Sequence, residues 1–376
     1  MLHKKNTFFA IGLMSGSSLD GLDICYVELK IKNLPDNKTT PVSHPIAIDY
    51  NIIKADCVEY TNTFRERLRT APNLAAFAFA QLHTEIGKYF GVLTNDFILK
   101  NKIKTLDFIC SHGQTIFHQP NTGFTTQIGC GAQIAAHTNT KVICDLRTSD
   151  VAYGGQGAPI VPIAEKYLFP EFTAFLNIGG IANISFNKKI DKENNIMAYD
   201  VCAANTVLNF LAKQKKVEYD KDGNLAKQGT INNTLLEVLN GIEFCNQSPP
   251  KSLGSEHVYT DWIARIEKFN IPTEDKLATM VEHIAMQVGK SVRAVNVLAS
   301  QSLFISGGGA LNSFLIDRIQ QHSPIEVYVP DVLTVQYKEA LAMALIGLLR
   351  ELELPNCLAS VTGATKNAIG GAIYLP

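Results

Sequence analysis

No two of the eight cysteines, Cys25, Cys57, Cys110, Cys130, Cys144, Cys202, Cys245 and Cys357, stand at C-x-x-C spacing, and none joins a histidine in a zinc-like cluster. That excludes a zinc module and a dithiol redox centre, and it leaves reduced, mostly buried thiols as the expectation. An excess of one charge is also missing. The 34 Lys+Arg face 35 Asp+Glu, and a formal net charge of −1 gives no global attraction to nucleic acid or to an anionic membrane surface. No apolar run approaches the ~18 residues of a membrane span. Phe8–Met14 follows Lys4 and Lys5 as a signal peptide would, but it stops at Ser15-Gly16-Ser17-Ser18 with no small-x-small site before Asp20, so it reads as a strand. A cytoplasmic protein without nucleic-acid or membrane partners is expected. What is present is length and apolar content: 376 residues, 46% apolar, enough for two or three domains of about 100–200 residues each.

Phe8–Leu13 and Leu22–Lys30 are β-branched and aromatic runs joined by a small polar segment, the pattern of a hairpin with a long turn. Lys32–Pro45 reads as an exposed connection. Thr63–Leu99 reads as helix, interrupted at Pro72, and Phe108-Ile109-Cys110 reads as a buried strand that ends at Ser111-His112-Gly113-Gln114-Thr115. The pattern then repeats. Ala174–Ile178, Gly179-Gly180 and Ile181–Phe186 form strand, glycine turn, strand; helical stretches follow at Thr206–Lys213, Thr230–Leu239 and Lys276–Leu298; Leu303–Ser306 then runs into Gly307-Gly308-Gly309. A duplicated α/β unit with a cleft between the copies is predicted, residues 1–165 forming one lobe and 166–376 the other, with the helix Glu339–Leu352 closing the second.

Three loops carry the chemistry. Gly12–Gly21 offers backbone N–H groups and hydroxyls in a glycine-containing turn, the composition of an anion nest, and Asp20 and Asp23 beside it suit Mg²⁺, directly or through water. Asn177–Asn183 is a second glycine turn, and Ser306–Asn312 a third, placed where a strand feeds a helix beginning near Asn312. Together they point to a nucleotide with its phosphates held between two lobes. The polar loop Cys144–Pro159, with Asp145, Arg147 and Asp150, and the pair His112 and Gln114 after a buried strand, have donors and acceptors for a sugar-like ligand. Asp200 follows Ile196–Tyr199 at or beyond a strand end; from the residues alone it reads as an N-cap for a helix near Asn205, with a general base as the alternative.

Gly12–Gly21, Ser111–Thr115, Asp145–Pro162, Asn177–Asn183 and Ser306–Asn312 resemble, in the same order, motifs of the anhydro-N-acetylmuramic acid kinase family, over nearly the whole chain. The string from Arg147 through Asp150 to Gly154-Gly-Gln-Gly-Ala-Pro159 is the most specific. The resemblance implies the actin, hexokinase and sugar-kinase superfold: α/β, two ribonuclease-H-like lobes around an interlobe ATP cleft. It implies an enzyme that opens the 1,6-anhydro ring with water and phosphorylates O6, using ATP and Mg²⁺, giving N-acetylmuramic acid 6-phosphate in cell-wall amino sugar recycling, and a homodimer. Asp200 then matches the general base. ATP is expected on Gly16, Ser17, Ser18, Leu19, Asp20, Gly21, Leu22 and Asp23, on Asn177, Gly179, Gly180 and Asn183, and on Gly307, Gly308 and Gly309; the sugar is expected on His112, Gln114, Asp145, Arg147, Asp150 and Glu339. Two departures stand out: the family's Thr-Gly-Pro-Gly-Asn after the base is Val201-Cys202-Ala203-Ala204-Asn205 here, and Ser255 replaces the arginine usual before Glu256. A levoglucosan-type anhydrosugar kinase and a catalytically silent, nucleotide-gated binding module are the competing readings.

Overall fold

The computed structural model describes residues 5–16, 18–32, 47–190, 193–249, 251–295 and 301–376, so most of the connection expected at Lys32–Pro45, Ser17, and the end of the helix expected to reach Leu298 lie outside the described residues. The chain divides into two compact units, Met1–Pro170 with Tyr337–Pro376, and Glu171–Gln336.

The first unit is built on β1 (Thr7–Ser15), β2 (Gly21–Ile31), β3 (Ile48–Glu59), β4 (Phe108–Gln119), β5 (Phe124–Ile128) and β6 (Val142–Cys144). The sheet order is β3-β2-β1-β4-β6, continued by Ala372–Tyr374, with β5 added on β4. β1 runs antiparallel to β2 and parallel to β4, and β4 is parallel to β6. The near-continuous apolar runs of β1 and β2 suit strands covered on both faces. The helix Ala76–Lys100 packs Leu82, Ile86, Phe90 and Phe97, at helical spacing, into one cluster with Ile11, Leu13, Leu22, Ile24 and Ile109. The helix Val332–Glu351 meets the sheet so closely that a Cβ on Gly12 would lie 1.8 Å from the Ala340 carbonyl oxygen, and one on Gly347 would lie 2.6 Å from the Phe108 ring. Among the described residues this is the one helix long and apolar enough to span a bilayer, and most of it is buried within the protein.

The second unit repeats the plan with β7 (Ala174–Ile178), β8 (Ile181–Ile190), β9 (Glu193–Ala203), β10 (Ser302–Ser306) and β11 (Glu326–Tyr328), in the order β9-β8-β7-β10-β11. β7 is again antiparallel to its hairpin partner β8 and parallel to β10. Leu277, Met280, Val281, Ile284, Val288 and Val292 on the helix Thr273–Ala294 pack with Trp262 into this unit's core. Each such side chain, fully buried, contributes about 1.5–3 kcal/mol. With β5 set aside as a hairpin on β4, both units have the same order, 3-2-1-4-5, the ribonuclease-H-like arrangement that the family resemblance implies.

Several boundaries differ from expectation. Residues 337–376, expected in the second half, belong to the first unit, because Ala372–Tyr374 pairs antiparallel with β6 and the helix seats against Gly12 and Phe108. The division falls at Pro170/Glu171 rather than at 165/166. The closing helix starts at Val332, with a kink at Tyr337, so Glu339 lies past its first turn. Pro72 does interrupt its helix: Asn62–Thr70, capped by the Thr61 hydroxyl, is separated from Ala76–Lys100 by a tight turn at Ala71–Asn73. β4 does not end at Cys110. It continues to Gln119, and Ser111–Thr115 is strand with an irregularity in it.

Candidate active site

In the first unit the β1–β2 turn is held from both sides. The Ser15 hydroxyl donates to Gln114 Oε1 at 2.5 Å and accepts from the Tyr60 hydroxyl at 2.6 Å, while the Asp20 carbonyl accepts from Tyr60 N at 3.0 Å and Arg65 Nη2 at 3.2 Å. Gln114 is thus buried and committed to the turn, where a sugar contact was expected. Leu19 takes φ +58°, and Leu22 is buried, so the side chain of Leu22 is core and only its backbone could serve a ligand. Ser18 and Asp20 are exposed. Asp23 pairs across the sheet with Cys57. Burial raises the Asp23 carboxyl, the thiol hydrogen bond from Cys57 opposes this, and the charge of Asp20 raises it further. The described residues contain no cluster of three side chains able to ligate a metal, so Asp20 and Asp23 fit Mg²⁺ only with water and phosphate oxygens completing its shell.

β4 slips register against β1 between Ser111 and Gln114, a bulge where Gly113 takes φ +73°. The bulge carries His112, buried, with Nδ1 on the Gly113 carbonyl and Nε2 accepting from Arg147 Nε at 2.9 Å. Burial first, and then the guanidinium, push the imidazole down to about 3, so it is neutral. Arg147 Nη1 also donates to the Gly157 carbonyl at 2.5 Å, and among the described residues Arg147 makes no ion pair. The Gly157 N–H donates to Asp150 Oδ2 at 2.7 Å, and Asp150 Oδ1 accepts from the Thr362 hydroxyl at 2.7 Å. Asp150 is 0% exposed. It cannot touch a sugar, contrary to expectation, and instead clamps the 154–157 loop. Asp145, in left-handed conformation with φ +59°, is exposed and accepts from the Thr148 hydroxyl.

Glu339 keeps exposed surface, yet desolvation is the largest influence raising its carboxyl, with Asp23 adding to it and Lys338 and Arg147 opposing. Its folded-state value therefore lies above the unfolded one, and its charge lowers stability once pH exceeds that range. Glu339→Gln should raise Tm at pH 7, with the gain shrinking as pH falls through the carboxylate range; a pH-independent gain would contradict this origin.

In the second unit the β7–β8 turn is fastened by backbone bonds from the segment after β9: Ala204 N to Gly180 O at 2.9 Å and Asn205 N to Gly179 O at 3.1 Å, with Asn205 Nδ2 on Ile178 O at 3.1 Å. Asn177 and Asn183 face each other across the hairpin. Gly307 takes φ +82°, and a Cβ there would lie 2.6 Å from Asn177 Oδ1; one on Gly309 would lie 2.2 Å from the Ile178 side chain. A short helical turn, Gly308–Leu311, precedes the helix Ser313–His322, which Asn312 caps. Asp200 lies within β9 and caps nothing; Ala204 occupies the N-cap of the helix Asn205–Gln214. Asp200 Oδ2 accepts from Leu253 N at 2.8 Å and the Ser252 hydroxyl at 3.1 Å, and its own N–H donates to Lys251 O. Lys251 spends its ammonium on the Phe244 carbonyl and ring. Val201, Cys202, Ala203 and Ala204 avoid positive φ, but Ala204, where the family has glycine, lies outside the α and β regions at φ −137° and ψ −108°.

Of the 26 glycines, three have neither a positive φ nor any neighbour within 3.4 Å of a notional Cβ: Gly16, Gly179 and Gly308. One sits in each of the three loops singled out from sequence. The fold does not require glycine at these positions, whereas a ligand lying against the backbone would. The sequence profile of the family described as anhydro-N-acetylmuramic acid kinase matches residues 8–376. The chain belongs to the anhydro-N-acetylmuramic acid kinase family. It is 33% identical to the anhydro-N-acetylmuramic acid kinase of Picosynechococcus sp., covering 97% of this chain and 99% of that one. It is 34% identical to that of Aliivibrio fischeri (97% and 98%), and 32% identical to that of Vibrio vulnificus (97% of each). As a member of this kinase family the chain is an ATP-using phosphotransferase. Tyr60, Arg65 and Ser252 escaped the sequence reading because nothing local marks them; Asn205 carried a signal, being the residue kept in the altered turn.

Proposed function

We propose that this enzyme hydrolytically opens the 1,6-anhydro ring of anhydro-N-acetylmuramic acid and phosphorylates O6, and that ATP lies against Gly16, Gly179 and Gly308. The three glycines left open for no internal reason are the observation that carries the nucleotide assignment. The backbone around Gly16–Asp23 and Asn177–Asn183 receives phosphate, and Gly308 receives the adenosine portion. Mg²⁺ bound through Asp20 and Asp23 would neutralise charge on the transferred phosphoryl group.

Asp200 is the general base. Oδ2 is fixed by Leu253 and Ser252, which leaves Oδ1 to take a proton from water. As the water oxygen bonds to C1, the C1–O6 bond breaks; O6 then bonds to the γ-phosphorus, its bond to the β,γ-bridging oxygen breaks, and ADP leaves. Positioning and electrostatics do most of this work. Arg147, largely buried and making no ion pair among the described residues, receives the lactyl carboxylate, since a buried cation gains most from an anionic partner. That favours the muramic substrate over levoglucosan, which has no carboxylate. Asp145 and Glu339 line the sugar side.

Gly308→Val is the direct test. The nearest atom to a Cβ there is Asn205 Nδ2 at 3.8 Å, so the variant should keep its Tm and lose ATP affinity by tenfold or more in calorimetry; unchanged affinity would remove the placement. ADP release that depends on the anhydrosugar separates a kinase from a silent binding module. Use of ATP and eight free cysteines fit the cytoplasm. A homodimer is the proposed assembly, to be checked by light scattering.

A further inference from the structure

Arg147 recognises an anion only if its planar fork is aimed, and nothing acidic among the described residues aims it. Its fixed partners are two neutral acceptors, His112 Nε2 and the Gly157 carbonyl, with Nη2 left unpaired among the described residues. The two acceptors are unequal. Gly157 belongs to a loop that is itself held by Asp150, whereas His112 sits in the β4 bulge, in the middle of a sheet. We infer that His112 is a positioning residue, not a sugar contact: its Nε2 holds Arg147 Nε and thereby turns the remaining guanidinium edge toward the carboxylate of the sugar. This rests on the carboxylate reading of Arg147 given above.

The imidazole suits the task for a chemical reason. Nε2 can accept only while it carries no proton, and the ring is buried with Nδ1–H spent on the Gly113 carbonyl, which fixes the tautomer. Burial and the adjoining guanidinium both disfavour a second proton, so the acceptor persists through the physiological range. A carboxylate in the same place would neutralise Arg147 internally and compete with the substrate. A neutral acceptor orients the cation and leaves its charge for the ligand. Gly113 is part of the device, because the bulge that turns His112 inward needs the positive φ there, and a Cβ would lie 2.8 Å from the Ile128 carbonyl oxygen.

The test compares anhydro-N-acetylmuramic acid with 1,6-anhydro-N-acetylglucosamine, the same ring system without the lactyl carboxylate. His112→Met and His112→Gln are close in volume to each other; only the second offers an oxygen to Arg147 Nε. His112→Met should raise KM for the acid sugar about ten- to a hundredfold, the range for losing the aim of a charge-assisted hydrogen bond, and leave KM for the neutral sugar near its starting value. His112→Gln should recover part of that loss. The double variant with Arg147→Ala should be no worse toward the acid sugar than Arg147→Ala alone. Equal effects of His112→Met on both sugars, or additivity with Arg147→Ala, would overturn the positioning role. If Arg147→Ala itself fails to distinguish the two sugars, the carboxylate reading falls, and this inference with it. Should His112→Met not fold, His112→Gln with the two-sugar comparison and Arg147→Lys, which cannot offer Nε, decide the same question: a preference for the acid sugar that survives Arg147→Lys would refute it.

Discussion

Asp200→Asn should lower sugar-dependent turnover by about 10²–10⁴-fold, the usual loss on removing a general base. It should do so without disturbing the fold or ATP affinity. Both hydrogen bonds to the side chain, from Leu253 N and the Ser252 hydroxyl, converge on one oxygen, Oδ2. An asparagine can place its carbonyl oxygen there and keep both, while its amide nitrogen occupies the Oδ1 position and can accept no proton. The substitution thus removes basicity and spares the anchor for residues 251–253. Steady-state kinetics with ATP and anhydro-N-acetylmuramic acid, beside a thermal melt and a calorimetric ATP titration, reads all three consequences. A folded Asp200→Asn enzyme turning over at a near-normal rate would remove Asp200 from the chemistry.

Gly12→Ala is expected to have the largest effect on stability. The added methyl would meet the Ala340 carbonyl oxygen at 1.8 Å and Ala344 N at 2.9 Å, both backbone atoms of a helix whose core-facing residues are fully buried. Backbone cannot yield as a side-chain tip can, so helix and sheet must separate. Overpacking of this kind costs about 1–3 kcal/mol or more. The helix that would move carries Glu339 one residue before Ala340, so turnover should fall as well. Gly16→Ala, only a few residues away in the same hairpin, should leave the urea midpoint unchanged, because nothing lies within 3.4 Å of its notional Cβ, and should weaken nucleotide binding instead. Equal destabilisation by both substitutions would show that the two glycines are not held for different reasons.

Local chemistry made the three glycine loops legible: Gly16, Gly179 and Gly308 sit where strands end and small polar residues collect, and both turns recur at matching places in the two halves. The duplicated sheet followed from the same hairpin signal read twice. What escaped was set by partners distant in sequence. Asp150 looked like a ligand residue because its clamp to Thr362 spans 212 positions. Asp200 looked like a cap because the segment that fastens it, residues 251–253, lies some fifty residues on. Ser111–Thr115 looked like a loop because a bulged strand with an inward histidine and a left-handed glycine has a loop's composition. The membership of residues 337–376 in the first unit depends on pairing of Ala372–Tyr374 with Val142–Cys144, which no periodicity announces.

That last pairing constrains the order in which the molecule is made. The second unit is one uninterrupted stretch, Glu171–Gln336, whereas the first waits for a helix and a strand synthesised after it. On the ribosome, where domains fold as units once their residues have emerged, the second unit can complete its core while β6 still lacks its neighbour and Gly12 still faces no helix. The half that starts first finishes last. Until then the face of β1 and β4 at Gly12 and Phe108 lacks its helix, so a released chain truncated after Gln336 should be protease-resistant in its second unit and protease-sensitive in its first.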